Sequence, residues 1–153
     1  MIRSLILEKL TNKFPDYNIE DHSYRNEDTI IVKPEKISHI CSFLKNDTEL
    51  LFDLLSDLCG ADYYPKEPRF EVIYNLYSIV NNYRLRIKSQ LSGDNPKIDS
   101  VSNIWVTANW HERETFDMFG IIFIGHPNLK RIYMTEDYKY FPLRKDFPLM
   151  GWD

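Results

Sequence analysis

Residues 69–91 run RFEVIYNLYSIVNNYRLRIKSQL. Tyr83, Leu85 and Ile87 alternate with Arg84, Arg86 and Lys88. Successive side chains of a strand point to opposite faces, so this segment has one apolar and one basic side, the pattern of a half-buried strand. Arg69–Ser78 is rich in aromatic and β-branched residues, which suit a pleated surface. Between the two runs lies Asn81-Asn82, and Asn tolerates the positive φ of a tight turn. The segment predicts an antiparallel pair, Arg69–Ser78 with Asn82–Leu91. The row Arg84, Arg86, Lys88 reads as a solvated sheet face with Glu71 opposite, in preference to a basic binding patch.

On either side of this pair the apolar period changes. Ile2, Leu5, Ile6 and Leu10 fall on one face of a short helix. Asn18–Ser23 and Thr29–Lys33 read as strands joined by a polar turn at Arg25–Asp28. Pro34 opens a helix with Ile37, Ile40, Cys41 and Leu44 on one side. Leu50, Leu51, Leu54, Leu55 and Leu58 repeat at helical spacing and predict a second helix, capped by Asp47 and stopped by Gly60. Asp62–Tyr64 reads as a short strand and Ser92–Pro96 as a loop. Asp99 or Ser100 caps the next helix, which carries Val101, Ile104, Trp105 and Ala108 on one face. Ile121–Ile124 follows, and Pro127, Pro142 and Pro148 then make the tail irregular, laid along a surface.

Together these elements predict an α+β fold of two layers, with a mixed or antiparallel sheet of about five strands. The N-terminal helix and the Pro34–Gly60 helices cover one face. The Ser100–Gly120 helices and the tail form a docking side. Residues 1–120 make the core and 121–153 an extended docking segment, within one structural domain.

Composition narrows the functional classes. A chain of 153 residues can bury about 68–70% of its unfolded surface, so it needs no disulfide or metal to fold. The net charge of −4 argues against nucleic-acid binding, which requires a basic footprint. Cys41 and Cys59 form no CxxC pair and read as two buried thiols in a reducing compartment. No apolar run approaches the roughly twenty residues of a membrane span. The start, MIRSLILEKL, is interrupted by Glu8 and Lys9 and does not read as a signal peptide.

The stretch Trp110–Leu149 concentrates charge and aromatic rings: WHERETFDMFGIIFIGHPNLKRIYMTEDYKYFPLRKDFPL. A helix unbroken from Ser100 would turn Glu112 inward, and a lone buried carboxylate is costly. A kink offers a way out, with Asn109 capping a new helix and Glu112 at its N3 position. Arg113 and Asp117 are spaced to pair on one face. Glu114 and Asp117 share a face and need a cation nearby, for which Lys130, Arg131, Arg144 and Lys145 are candidates. His111-Glu112-Arg113-Glu114-Thr115 is not the zinc motif HExxH, and His126 has no neighbouring ligand, so both histidines read as structural. There is no GxSxG, GxGxxG or GxxxxGK[ST]. Docking is the chemistry left. Arg144-Lys145-Asp146 in a Pro- and aromatic-rich tail suits contact with another protein chain, with Arg recognising carboxylates in a bidentate fashion.

The order Glu112-Arg113-Glu114, Phe116-Asp117-Met118-Phe119-Gly120, Gly125-His126-Pro127, Lys130-Arg131-Ile132 resembles the signature of the thirty-kilodalton subunit family of respiratory complex I. In bacteria this is the C subunit of NADH:quinone oxidoreductase. The ending Pro142-Leu143-Arg144-Lys145-Asp146-Phe147-Pro148-Leu149 is similar to that family's too. The specific motifs cover roughly the last third of the chain, and the helix–strand order before them is compatible. Phe141 stands where a His is frequent in relatives, and many members continue past the point where this chain stops, at Asp153.

The resemblance implies a structural subunit of the peripheral arm with no cofactor of its own. FMN, iron–sulfur clusters and quinone would be handled by partner subunits. The partners would be the forty-nine-kilodalton-type subunit (the D subunit) and its peripheral-arm neighbours, with no nucleic acid and no direct membrane span. The interface would use Glu112, Arg113, Glu114, Asp117, His126, Lys130, Arg131, Arg144, Lys145 and Asp146. Arg144→Ala is expected to weaken assembly more than the isolated fold. The location would be the cytoplasmic side of a bacterial inner membrane, or the matrix side of the mitochondrial one. Two alternatives stand beside this: the equivalent subunit of a ferredoxin- or F420-linked dehydrogenase or membrane-bound hydrogenase, and a free-standing acid–base enzyme using Glu112, Glu114 and Asp117.

Overall fold

A computed structural model describes residues 2–93 and 95–151, with backbone alone for Ile2. The side chain of Ile2, position 94 of the expected loop, and positions 152 and 153 of the expected tail lie outside the described residues.

Among the described residues the chain runs α1 (Ile2–Lys13), β1 (Glu20–Asp21), β2 (Thr29–Ile31), a 3-10 turn (Pro34–Lys36), α2 (Ile37–Asn46), β3 (Leu54–Asp62), β4 (Phe70–Ser78), β5 (Tyr83–Leu91), β6 (Lys97–Asp99), α3 (Ala108–Phe119) and β7 (Ile122–Ile124). Five strands form one mixed sheet in the order β1-β2-β5-β4-β3, and β6 pairs with β7 in a small second sheet. The expected α+β architecture is present. β4 and β5 are the predicted antiparallel hairpin, in register from Phe70↔Leu91 to Ser78↔Tyr83. Asn82 in its turn has a φ of 55°. β2 joins β5 in parallel.

Phe70, Val72, Tyr74 and Leu76 point from β4 into the core, and Leu85, Ile87 and Leu91 do so from β5. Ile6 and Leu10 of α1 and Ile37, Ile40, Cys41 and Leu44 of α2 fill the same cluster. The opposite face carries the basic row with Glu71 opposite, as expected: Lys88 lies 3.3 Å from Glu71 and Arg86 2.7 Å from Glu27, although Glu71 itself is buried.

The predicted Leu50–Leu58 helix is instead a turn followed by strand β3. A bulge shifts the register between Leu55 and Asp57. Leu55 and Leu58, three positions apart, therefore both face the core at 1% exposure, a spacing otherwise typical of helices. Asp47 does cap amides, accepting from Glu49 at 3.0 Å and Leu50 at 3.1 Å. Those amides belong to the turn, and Lys9 of α1 bonds the same carboxylate at 2.9 Å.

Gly60 ends no helix. It lies inside β3 opposite Val72, on the core side, and α3 crosses directly over it. A Cβ there would stand 2.8 Å from Phe119 and 3.0 Å from Thr115. Helix α3 therefore packs on the same face as α1 and α2, not on a separate docking side. It also starts at Ala108, later than Ser100. Residues 101–107 form turns, pinned by a bond from the Trp105 indole to the Phe52 carbonyl at 3.0 Å. Cys59, expected to be buried, is exposed; Cys41 is buried. The expected division at 120/121 falls between α3 and β7, and β7 pairs in parallel with β6.

Candidate functional site

The charged segment folds into a brace that fastens the C-terminal tail to α3 and to the β3–β4 end of the sheet. Three arginines and three carboxylates build it.

Asp62 ends β3 and is almost fully buried. Its two oxygens accept from Arg69 Nε and Nη2, both at 3.0 Å, the bidentate fork that a planar guanidinium favours. It also accepts from the Tyr64 amide at 3.0 Å and, across 83 residues, from the Lys145 amide at 2.8 Å. Burial pushes its pKa up, but the bonds from Arg69, Lys145 and Tyr64 outweigh that and hold it at about 2. Arg69 also donates to Asp146 at 2.7 Å. One guanidinium thus joins the sheet to the tail.

Asp117 lies on α3 with 0% exposure. One oxygen accepts from Arg131 at 2.8 Å. The other gathers the amides of Ile132, Tyr133 and Met134 at 2.9, 2.7 and 3.1 Å. Burial opposes ionisation, yet these bonds hold its pKa below the ordinary carboxylate value. Arg131 continues to the carbonyls of Tyr138 at 2.6 Å and Tyr140 at 3.1 Å. Arg113, expected to pair with Asp117, instead donates to the carbonyls of Lys130 and Arg131 at 3.0 and 3.3 Å.

Arg144 closes the C-terminal end of α3. Its Nε donates to the Phe119 carbonyl at 2.7 Å, where helix carbonyls lack internal partners and a cation is favoured. Gly120 at this helix end has a φ of 77°, and a Cβ there would meet Arg144 and Phe141 at 2.7 Å. The guanidinium carbons interleave with aromatic rings. Arg69 lies 4.9 Å from Tyr64 and 4.7 Å from Phe70. Arg144 lies 5.0 Å from Phe70 and 4.6 Å from Phe141. Arg131 lies 5.0 Å from Phe141 and 5.8 Å from Tyr138. The result is one cation–π stack running from the sheet to the tail.

Glu112 stands apart from this stack and has 0% exposure. It accepts from Ser100 Oγ at 2.6 Å and the Val101 amide at 2.7 Å. Asn109 is inside the helix and does not cap it, so the expected kink is replaced by a carboxylate that ties α3 to the end of β6. Burial pushes the Glu112 pKa up to about 7, against the two bonds it accepts. His126 Nε2 lies 3.9 Å from Glu112. The Asn128 amide donates to His126 Nδ1 at 3.0 Å, which leaves the proton on Nε2, facing the Asn109 carbonyl at 3.1 Å.

Burial sorts the residues expected at the interface. Glu112, Asp117 and the His126 side chain are sealed inside the chain. Arg131 is nearly so, and Arg144 serves the helix end and the ring stack. Arg113, Glu114, Lys130, Lys145 and Asp146 keep surface exposure. The cluster Arg144-Lys145-Asp146 divides: Arg144 turns in, Lys145 out, and Asp146 reaches Arg69. Asp62, Arg69, Phe70 and Phe141 were not expected here. Their contacts cross up to 83 residues, and no local spacing signals them. Among the described residues, no three His, Cys, Asp or Glu side chains gather as metal ligands.

Fold and brace define a small α+β domain whose most highly charged segment secures its own tail. The model of the respiratory-chain NADH dehydrogenase 30 kDa subunit family matches residues 30–152. The chain belongs to that family. NADH-quinone oxidoreductase C subunit 2 of Rhizobium etli (strain CIAT 652) is 55% identical over 125 residues, which are 82% of this chain and 66% of the relative. The chain thus spans about two thirds of that relative's length. The NADH-quinone oxidoreductase C subunit of Roseiflexus sp. (strain RS-1) is 48% identical over 144 residues, 94% of this chain and 83% of the relative. Among solved structures, the trypsin-resistant fragment (1-134) of Nqo5 is 29% identical with a TM-score of 0.65, covering 84% of this chain and all of the fragment. A chain of the membrane-bound sulfane sulfur reductase, an archaeal respiratory membrane complex, shares the fold. It has a TM-score of 0.80 at 23% identity over 98% of this chain and 88% of its own.

Proposed function

We propose that this chain is a structural subunit of the peripheral arm of proton-translocating NADH:quinone oxidoreductase, docking on the forty-nine-kilodalton-type subunit and performing no electron chemistry itself. Its family membership carries the coarser part, a subunit of a membrane-associated NADH-quinone oxidoreductase. No helix among the described residues is long and apolar enough to cross a membrane, so partner subunits make the attachment, on the cytoplasmic side in a bacterium. FMN, iron–sulfur clusters and quinone belong to those partners.

The brace supports the structural role. Asp117 and Glu112 have their oxygens filled by donors of the same chain. Glu114 is exposed while the other two are buried, an arrangement that favours a structural reading over paired acid–base carboxylates. The equivalent subunit of a ferredoxin- or F420-linked complex or hydrogenase is less favoured, because the relatives at 46–56% identity are named for NADH and quinone. The test is affinity purification of the tagged chain from detergent-solubilised native membranes. The forty-nine-kilodalton-type partner and NADH dehydrogenase activity co-purify if the proposal holds. Recovery of the chain as a lone soluble monomer contradicts it.

A further inference from the structure

The outer side of α3 carries an exposed strip that the brace leaves unused. Val106 is 84% exposed, Trp110 62% and Tyr133 66%, with Ile132 beside them also exposed. Val106 lies in the turn just before α3, and Trp110 follows four positions on, in the first turn of the helix. Ile132 and Tyr133 are fixed against the later part of the helix by their amide bonds to Asp117. Arg113 lies between these groups. Its guanidinium carbon is 4.9 Å from the centre of the Trp110 ring, and the Lys130 and Arg131 carbonyls hold it from behind. Lys130 is exposed alongside.

Two features set the chemistry of what covers this strip. An indole held by a stacked guanidinium, with Tyr and aliphatic neighbours, is the residue set that carries most binding energy at protein interfaces. Contiguous apolar surface left in water marks an interaction site. In addition, neither Arg113 nor Lys130 has a carboxylate partner among the described residues. Charge complementarity then calls for carboxylates on the other side. We infer that this strip docks an apolar surface of a neighbouring subunit that bears carboxylates opposite Arg113 and Lys130, with Trp110 as the central anchor. The inference rests on the subunit role proposed above and assigns the contact to the start of α3 and the 130–133 segment laid against it.

Trp110→Asp and Lys130→Glu are introduced separately into the full chain in its native cells. The oxidoreductase is purified from solubilised membranes, and the chain is quantified against the rest of the complex. Each variant lowers incorporation about ten-fold, the effect of losing one anchor residue. Val80→Asp, on the similarly exposed β4–β5 turn, leaves it unchanged. Both isolated variants keep the wild-type melting temperature. Should Trp110→Asp fail to fold, Lys130→Glu decides, since its ammonium makes no bond among the described residues. Wild-type incorporation of Lys130→Glu overturns the inference. So does an isolated wild-type dimer that Trp110→Asp dissociates, which makes a second copy the occupant. If the wild-type chain itself never enters a complex, the subunit reading fails and this inference with it.

Discussion

Glu112 places an ionisable group where water does not reach, and that gives the protein a pH dependence. Its folded pKa, about 7, lies above the ordinary 4.5. Between those values the folded chain keeps a proton that the unfolded chain has released. The stability from this group is complete below about 4.5 and is lost as pH rises through 7. Asp62 works in the opposite sense. Its folded pKa of about 2 lies below the ordinary 3.8, so its contribution is present above 3.8 and is lost as pH falls toward 2. Glu112→Gln can keep accepting from the Val101 amide and can donate to Ser100 Oγ in place of accepting from it, but it cannot ionise. Its stability relative to wild type should therefore rise from about pH 5 to about pH 8 by up to about 3 kcal/mol, read from urea denaturation at each pH. A difference that stays flat across that range contradicts the assignment. Arg144 is the second residue with a definite expectation, and it reverses the one drawn from sequence. Its bond to the Phe119 carbonyl and its two ring contacts are internal. Arg144→Ala should cost the isolated chain about 1.5–3 kcal/mol, the range for a charged hydrogen bond. An unchanged melting temperature would return Arg144 to the interface.

At the scale of elements, the meeting of α3 with β3 controls how the layers close. Gly60 allows Phe119 and Thr115 to rest on the strand backbone. Gly60→Val raises strand propensity by at most about 1 kcal/mol. Overpacking against the helix costs about 1–3 kcal/mol, so the variant should melt lower, with hydrogen exchange quickened in α3 first. A higher melting temperature would show that the helix can shift freely. The same junction explains what the sequence revealed and what it concealed. Tyr83–Lys88 alternates cleanly, and its hairpin was legible; so was α2, whose stripe Ile37, Ile40, Cys41, Leu44 is buried throughout. Leu50–Leu58 misled because a bulge puts Leu55 and Leu58 on one face, as a helix would. For Glu112 the local pattern offers a kink with Asn109 as cap, whereas the carboxylate is buried and bonded. The partner, Ser100, lies on the end of β6, and only tertiary packing brings it near. Arg131 was named among the cations available to Asp117. Arg69 and Asp62 of the brace were not, because their bonds reach the tail from a distant part of the chain.

At the scale of the whole molecule, the brace joins residues of the last third of the chain to Asp62 and Arg69 of the sheet. Asp117, Arg131, Arg144, Lys145 and Asp146, with Asp62 and Arg69, hold α3, the sheet and the tail together. A preformed surface loses less conformational entropy on docking, which suits a part that positions its neighbours. In the proposed role the chain supports NADH:quinone oxidoreduction without performing it. The direct measurement is NADH:quinone reductase activity in membranes from cells lacking the chain, before and after adding the purified protein, beside the purified protein alone. The activity should be absent from the depleted membranes, return on addition, and be undetectable in the protein by itself. Full activity in the depleted membranes, or NADH oxidation by the isolated chain, would contradict the claim.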